Sequence, residues 1–121
     1  MKTKKELKEE YKQKKFKPGV YRIVNKVNGK IFIGSSVNLE AALRSQKFQL
    51  ETGGHMNNGL QKDWNQMGEE NFLFEIIDEV NPDDDKIVDL SKEVKALEEI
   101  HIDEIQPFEE KGYNKRKADN R

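Results

Sequence analysis

Three short stretches of the chain have the apolar patterns of β-strands, two of them with alternating apolar residues and one as a short continuous apolar run. The first two stretches lie at 20–24 and 31–33. The third lies at 71–77, where the recurring residues are Phe72, Phe74 and Ile76. The sequence therefore predicts three strands, of which the first two are close enough along the chain to form a hairpin.

The hairpin is predicted by Asn28-Gly29, which lies between the first two strands. A type I′ turn requires a positive φ at both of its central residues, and asparagine and glycine adopt this conformation most readily. A two-residue turn at this place pairs Ile23 with Gly34. Because side chains alternate between the two faces of a strand, one face of the predicted hairpin carries Tyr21, Ile23, Asn25, Phe32 and Gly34.

Helical spacing of apolar residues indicates three further elements. A helix from about 39 to 51 follows Asn38, a residue suited to cap a helix N-terminus, and ends before Gly53-Gly54. A second helix runs from about 58 to 67. A long third helix runs from the acidic turn at 83–85 to about 105, before Pro107. The order ββααβα predicts the α/β (α+β) class, with one small three-stranded antiparallel sheet flanked by helices.

The composition narrows the kinds of site that the domain can carry. The chain has 121 residues, no cysteine and two histidines, so any metal site depends on carboxylates, which favours Mg²⁺, Mn²⁺ or Ca²⁺ over zinc. No apolar stretch approaches the ~18 residues that cross a membrane, and the charged first residues predict no secretory signal peptide. The absence of cysteine fits a reducing, cytoplasmic compartment.

Charge is unevenly distributed, although the net charge is only −1. Residues 2–17 carry eight lysines and three glutamates. We interpret 1–17 as a basic arm or helix, 18–114 as the folded domain and 115–121 as a basic tail. A basic arm can contact phosphates, but a solvated terminus explains the same pattern. The near-neutral total is not typical of a domain that binds nucleic acid.

Two polar residues fall on predicted apolar surfaces. Glu98 lies beside the inward stripe of the last helix, four residues after Val94. A carboxylate there requires a cation, a metal or hydrogen-bond donors, unless it lies at the edge of the stripe and reaches water. Tyr21 shares its strand face with Gly34, and the space above a glycine suits the close approach of a ligand. Tyr21 is therefore a candidate general base, although a core tyrosine is the usual case.

These residues resemble the motifs of the GIY-YIG nuclease family. Gly19-Val20-Tyr21 matches the first motif, and Phe32-Ile33-Gly34 matches the second motif with phenylalanine in place of tyrosine. Ten residues separate the two motifs, as in the compact homing-endonuclease-type members, and Gly112-Tyr113-Asn114 matches the end of the domain. The resemblance covers about 18–114. It implies a metal-dependent phosphodiesterase that cleaves DNA with Mg²⁺ or Mn²⁺.

The resemblance also implies roles for individual residues. Glu98 would hold the divalent cation, and Tyr21 would take a proton from the attacking water. The residue at Phe32 would orient water or phosphate, His55 would assist near the second helix, and Asn114 would support the site. These roles are chemically consistent, because cations neutralise the developing negative charge while a base activates the nucleophile.

The chain departs from the family pattern at positions that bear on the chemistry. The family arginine falls eight residues after Gly34, where this chain has Ala42, and Arg44 is rotated by about 200° from that position on a helix. Phe32 has no hydroxyl, and Gln46 stands where many members have a histidine. Loss of one preorganised donor typically costs on the order of 10²–10³ in rate. We therefore predict an impaired or inactive nuclease domain.

Three functions are open from the sequence. They are a DNA endonuclease, a catalytically dead module of the same fold that binds nucleic acid or a protein, and an interaction domain without a nucleic-acid role. DNA is the expected partner, no membrane contact and no small-molecule cofactor are expected, and the oligomeric state is open. His55 is also explained as a solvated loop residue, and His101 as a packing residue on the last helix. Lys30 is a further candidate for phosphate contact.

Overall fold

The computed structural model describes residues 17–81 and 89–115. The predicted basic arm up to residue 16, the acidic turn at 83–85 and the tail from residue 116 lie outside the described residues. The elements within them are β1 (Gly19–Asn25), β2 (Ile31–Ser36), α1 (Leu39–Thr52), α2 (Asn58–Met67), β3 (Phe72–Glu79) and α3 (Leu90–Ile105), with 3₁₀ turns at Glu69–Asn71 and Glu109–Lys111. The predicted order ββααβα and the α+β class are confirmed. Within 17–81 and 89–115, no helix is long and apolar enough to cross a membrane.

The three strands form one antiparallel sheet in the order β2-β1-β3. The backbone of β1 comes unusually close to β3 at Gly19, where a Cβ atom would overlap the carbonyl oxygen of Asp78. The pairing of the two strands shifts register between Val20 and Tyr21. The extra residue is Ile77 of β3, whereas the pairing of β1 with β2 runs without a shift through Val20 and Tyr21.

The register of the hairpin differs from the prediction by two residues. Tyr21 lies opposite Gly34, and Ile23 lies opposite Phe32. Because the period of side-chain direction along a strand is two, a shift of two residues leaves every side chain on its predicted face. The predicted pairing was wrong, while the predicted set of residues that share a face is confirmed.

The cause of this difference is the hairpin loop, which has four residues (26–29) instead of two. The backbone N–H of Asn25 donates to the carbonyl of Lys30 at 2.9 Å and closes the loop. The side chain of Asn25 accepts a hydrogen bond from the N–H of Val27 at 2.9 Å. Gly29 has a φ of 77°, but Asn28 does not have a positive φ. The type I′ turn is therefore not formed, because it needs both residues in the left-handed region.

Helices cover both faces of the sheet. α1 and α2 pack on the face that carries Tyr21 and Ile23, and the buried core on this side also contains Leu39, Leu50, Leu60, Trp64, Phe72 and Tyr113. α3 packs on the other face, against β2 and β1. The alternation of side chains assigns the buried Val20 and Ile33 to that second face. The sheet thus separates two small cores, and β2 forms one of its outer edges.

Both ends of α1 follow the predicted capping residues, whereas α3 begins at Leu90 with Asp89 as a cap that was not predicted. The side chain of Asn38 accepts a hydrogen bond from the N–H of Ala41 and caps the N-terminus of α1. The side chain of Asn57 accepts one from the N–H of Leu60 and caps the N-terminus of α2. Gly53 ends α1 in the left-handed conformation with a φ of 82°, which glycine adopts without steric cost. The caps fix the rotational register of α1, and this register decides which of its residues face the sheet.

Candidate active site

Tyr21 reaches the outer edge of the sheet by crossing β2 at Gly34. The tyrosine is 4% exposed, and a Cβ atom built at Gly34 would overlap its Cζ and hydroxyl oxygen. Any other side chain at position 34 would displace the ring. Gly34 is therefore the residue that allows the Tyr21 hydroxyl to lie over the end of β2.

Glu98 approaches the same end of β2 from the other face of the sheet. It is only 8% exposed, which contradicts the alternative that Glu98 reaches water at the edge of the helix stripe. One carboxylate oxygen accepts a hydrogen bond from the Ser35 hydroxyl at 3.1 Å, and the other lies 2.9 Å from the Lys95 ammonium nitrogen. These two partners offset the cost of burying the carboxylate.

Tyr21 and Glu98 approach adjacent residues of β2, Gly34 and Ser35, whose side chains point to opposite faces of the sheet. Tyr21 lies over Gly34, and Glu98 binds Ser35. Burial and, to a smaller extent, the negative charge of Glu98 raise the pKa of Tyr21 to about 12. The phenol is therefore protonated at neutral pH, and a positive charge beside Glu98 would lower its pKa.

Asn114 holds β2 directly before Gly34. Its side-chain oxygen accepts a hydrogen bond from the Ile33 N–H at 2.8 Å, and its side-chain nitrogen donates to the Ile33 carbonyl at 2.9 Å. The N–H of Tyr113 donates to the Ile31 carbonyl at 2.9 Å. The segment at 112–114 therefore covers the outer edge of β2 as far as Ile33, and the candidate site begins where this cover ends.

Tyr113 links this segment to the hairpin and to α2. Its hydroxyl donates to the Asp63 carboxylate at 2.7 Å and accepts from the Asn25 side chain at 3.0 Å. Desolvation is the main cause that raises the pKa of Tyr113 to about 12. The Lys30 ammonium lies over the tyrosine ring, 5.6 Å from its centre. Lys30, predicted as a phosphate contact, thus packs on the C-terminal segment.

His55 is buried, so the expectation of a solvated loop histidine was wrong. Its Nδ1 accepts a hydrogen bond from the Asn57 N–H at 3.0 Å, which assigns the proton to Nε2, and Nε2 faces the side-chain oxygen of Gln46. The ring also meets Phe32 edge to face, with centroids 5.8 Å apart. Burial lowers the pKa of His55 below its ordinary value. A neutral ring with both nitrogens engaged cannot exchange a proton without a change of partners.

The neutral state of His55 predicts a pH-dependent stability. Its pKa in the folded protein lies below the ordinary 6.5, so on acidification the unfolded chain takes up this proton before the folded chain does. The free energy of unfolding should therefore fall as the pH drops below about 6.5, by at most about 1.4 kcal/mol per pH unit from this residue. Urea unfolding at about pH 7.5 and about pH 5.5 measures the effect. His55→Gln should show a smaller difference between the two pH values, and an equal difference would contradict this explanation.

No arginine reaches the candidate site from α1. Ala42 is half-buried and packs against the core that contains Tyr21, while Arg44 is exposed. The cap at Asn38 is in place, so the register of α1 has not shifted to bring Arg44 inward. The positive charge expected at position 42 is therefore not restored by a neighbouring residue of this helix.

Ser35 and Lys95 were not predicted as site residues from the sequence. Ser35 could have been found from the alternation of side chains along β2, which places it on the same face as Ile33 and on the opposite face from Gly34. The signal for Lys95 was its spacing, because residues three apart on a helix are neighbours and it precedes Glu98 by three positions. Both signals required knowledge that α3 covers this face of β2.

His101 lies one turn after Glu98 on α3, but its ion-pair partner is on β3. It is half-buried, and its Nε2 is 2.9 Å from a carboxylate oxygen of Asp78 on β3. The residue therefore connects α3 to the far edge of the sheet, in addition to the packing role expected from the sequence.

The residues at the end of β2 suit a divalent cation bound by one protein carboxylate. Within 17–81 and 89–115, no three histidine or acidic side chains are grouped so that they could hold a metal ion. Mg²⁺ is commonly bound by one or two carboxylates and keeps several waters, whereas zinc requires more protein ligands. Glu98, fixed by the Ser35 hydroxyl, thus fits Mg²⁺ or Mn²⁺. Lys95, which contacts the second oxygen, has a side chain that is 64% exposed.

A sheet of order β2-β1-β3 between helices, in which the two matched motifs pair with each other, defines a GIY-YIG-like nuclease fold. The catalytic domain of the homing endonuclease I-TevI is similar to this chain over 82% of this chain and 98% of its own, with 27% identity and a TM-score of 0.66. A glutamate-to-alanine mutant of the catalytic domain of the intron endonuclease I-TevI is similar over 84% and 96%, with 26% identity and a TM-score of 0.67. No protein-family model matches the chain, and no curated protein matches it significantly. The resemblance drawn from the two motifs is confirmed at the level of the fold.

Proposed function

We propose that residues 18–114 form a metal-dependent phosphodiesterase domain that cleaves DNA, and that Ala42 impairs it. The observation that carries this proposal is the placement of Tyr21 and Glu98 beside Gly34 and Ser35, two adjacent residues of β2, in a fold similar to that of the catalytic domain of a homing endonuclease. Mg²⁺ or Mn²⁺ is the proposed ion, and DNA is the proposed partner. The absence of cysteine supports a cytoplasmic location.

The proposed reaction is hydrolysis of a phosphodiester. The oxygen of a water forms a bond to phosphorus, the bond from phosphorus to the leaving oxygen breaks, and the leaving oxygen takes up a proton from solvent. A divalent cation, when bound at Glu98, supplies stabilisation of the negative charge on the phosphate. Glu98 would fix the position of the cation, since burial and the hydrogen bond from the Ser35 hydroxyl at 3.1 Å hold its carboxylate in one orientation.

Tyr21 takes the proton of the attacking water in this proposal, directly or through a second water. Its hydroxyl lies at the end of β2 over Gly34. Its pKa of about 12 makes the phenolate rare at neutral pH, and neutralisation of the Glu98 charge lowers this pKa. The rate of cleavage should therefore rise with pH above neutrality, because the fraction of phenolate rises. Asn114 supports this arrangement through its two hydrogen bonds to Ile33.

The second candidate function is a catalytically dead module of the same fold that binds nucleic acid or a protein. Two observations favour it. Ala42, at the position where a charged donor is expected, is half-buried and packs against the core, and Phe32, which lacks a hydroxyl, contacts a His55 ring whose two nitrogens are engaged. Binding without cleavage, with log affinity falling linearly with log salt, would identify a nucleic-acid-binding module. Affinity independent of salt would exclude phosphate contacts.

Nicking of supercoiled plasmid in Mg²⁺ or Mn²⁺ tests the proposed function. We expect slow nicking that requires the divalent ion and that Glu98→Ala lowers by on the order of 10²-fold or more. Glu104→Ala is the matched control, because it removes an exposed carboxylate from the same helix. Equal rates for the wild type and Glu98→Ala would show that Glu98 does not hold the ion. Absence of nicking in all three proteins would favour the dead module.

A further inference from the structure

Lys95 is a positively charged residue that contacts Glu98 in the candidate active site. Its ammonium nitrogen lies 2.9 Å from one oxygen of Glu98, and its side chain is 64% exposed, whereas that of Glu98 is 10% exposed. The other carboxylate oxygen accepts the hydrogen bond of Ser35. The ammonium group thus lies on the solvent side of a carboxylate that the fold holds in place.

Three other positively charged side chains in the residues that the structure describes contact groups other than Glu98. Arg22 lies 2.8 Å from the Glu75 carboxylate, and Lys17 lies 3.7 Å from that of Glu79. Lys30 lies over an aromatic ring of the C-terminal segment. The contact of Lys95 with Glu98 therefore places a positive charge beside the carboxylate that is proposed to hold the ion.

We propose that Lys95 is a catalytic residue that contacts the scissile phosphate and supplies the positive charge missing at Ala42. When Glu98 binds a divalent cation, Lys95 cannot keep the same oxygen, because two positive charges within hydrogen-bond distance repel each other. Its flexible four-carbon stem lets the ammonium turn to the nearest anion, which is the phosphate bound by that cation. The inference rests on the proposed function of this site.

The proposal predicts that loss of the Lys95 charge raises the affinity for a divalent cation and lowers the rate of cleavage. Removal of the Lys95 charge frees an oxygen of Glu98, so the affinity for a divalent cation should rise, by about twofold to fivefold for an exposed ion pair. The same change removes a cation from the phosphate, so cleavage should slow by about tenfold or more. A lysine that only stabilises α3 by an ion pair would not raise the cation affinity and lower the rate together.

The test compares Lys95→Gln and Lys95→Arg with the wild type. Lys92→Gln is the matched control, because Lys92 is exposed one turn earlier on the same helix. Mn²⁺ affinity is measured on the protein without DNA, by the loss of the electron paramagnetic resonance signal of free Mn²⁺, and plasmid nicking is measured separately. We expect Lys95→Gln to bind Mn²⁺ more tightly and to nick more slowly, Lys95→Arg to nick within a few-fold of wild type, and Lys92→Gln to change neither quantity.

Glu98→Gln separates this proposal from the proposed function. If Glu98→Gln loses Mn²⁺ binding while Lys95→Gln and the wild type bind Mn²⁺ equally and nick equally, the role of Lys95 is overturned and the metal site stands. If Mn²⁺ binding does not depend on Glu98, the proposed metal site is overturned instead. Tighter Mn²⁺ binding by Lys95→Gln together with slower nicking supports the proposal.

Discussion

Ala42→Arg should raise the rate of plasmid nicking by about tenfold or more. The substitution places a guanidinium group on the face of α1 that packs toward Tyr21, and arginine can bind a phosphate through two parallel hydrogen bonds, whereas lysine acts as a single point charge. The apolar stem can lie along the core surface while the head reaches the site. A cost in stability of about 1–3 kcal/mol is expected from the extra volume. Nicking rates and urea unfolding of the purified variant measure both effects.

The neighbouring alanine provides the control for this gain of activity. Ala41→Arg introduces the same side chain about 100° away on the helix, and it should leave the nicking rate unchanged. Glu98→Ala should abolish the gain of Ala42→Arg, and the gain should be larger in a Lys95→Gln background, since the two cations would serve the same phosphate. Equal rates for Ala42→Arg and the wild type would count against the alignment of this site.

Gly34→Ala should slow nicking strongly and lower the free energy of unfolding by about 1–3 kcal/mol. A Cβ atom at this position overlaps the Tyr21 ring near its hydroxyl. The ring is 4% exposed and packed among core residues, so it cannot swing into solvent without losing buried area. The hydroxyl must therefore leave the end of β2. Thermal or urea unfolding and nicking rates of the single variant measure the two effects.

A double-mutant cycle with Tyr21→Leu shows whether alanine at position 34 is unfavourable because of the Tyr21 ring or for another reason within β2. Leucine does not reach across β2 as far as the tyrosine ring does, so Gly34→Ala should cost little in this background. Alanine is otherwise favoured over glycine within a strand, because it has less conformational freedom to lose on folding. The two substitutions should thus be strongly non-additive. Additive costs would show that Tyr21 is not the group that requires glycine.

The sequence predicted the fold well because its local signals agree. Asparagine caps, glycine stops and alternating apolar residues each marked an element that the structure contains. The hairpin register was wrong for a physical reason that local propensity does not reveal. The side chain of Asn25 bonds to the loop backbone and favours a four-residue connection, so Asn28 is not needed in the left-handed conformation.

The site was predicted in part. Tyr21 and Glu98 were singled out because polar groups on apolar surfaces require an explanation, and both are buried beside the end of β2. The alternation of side chains predicted the strand face of each residue but not which helix covers that face. The approach of Tyr21 and Glu98 to β2 from opposite faces, and the contacts of Ser35 and Lys95 with Glu98, were therefore not predicted. His55 was misjudged because burial of a loop depends on tertiary contacts, here with Gln46 and Phe32.

The hydrogen bonds between Asn114 and Ile33 join positions 81 residues apart in the sequence. A chain that is still being synthesised can hold Tyr21 and Glu98 before residue 114 has left the ribosome, but its strand β2 then lacks these bonds at its outer edge. Long-range contacts of this kind also form late in folding, because closure of a long loop is slow. The outer edge of β2 beside the candidate site is therefore completed by the last-synthesised part of the domain.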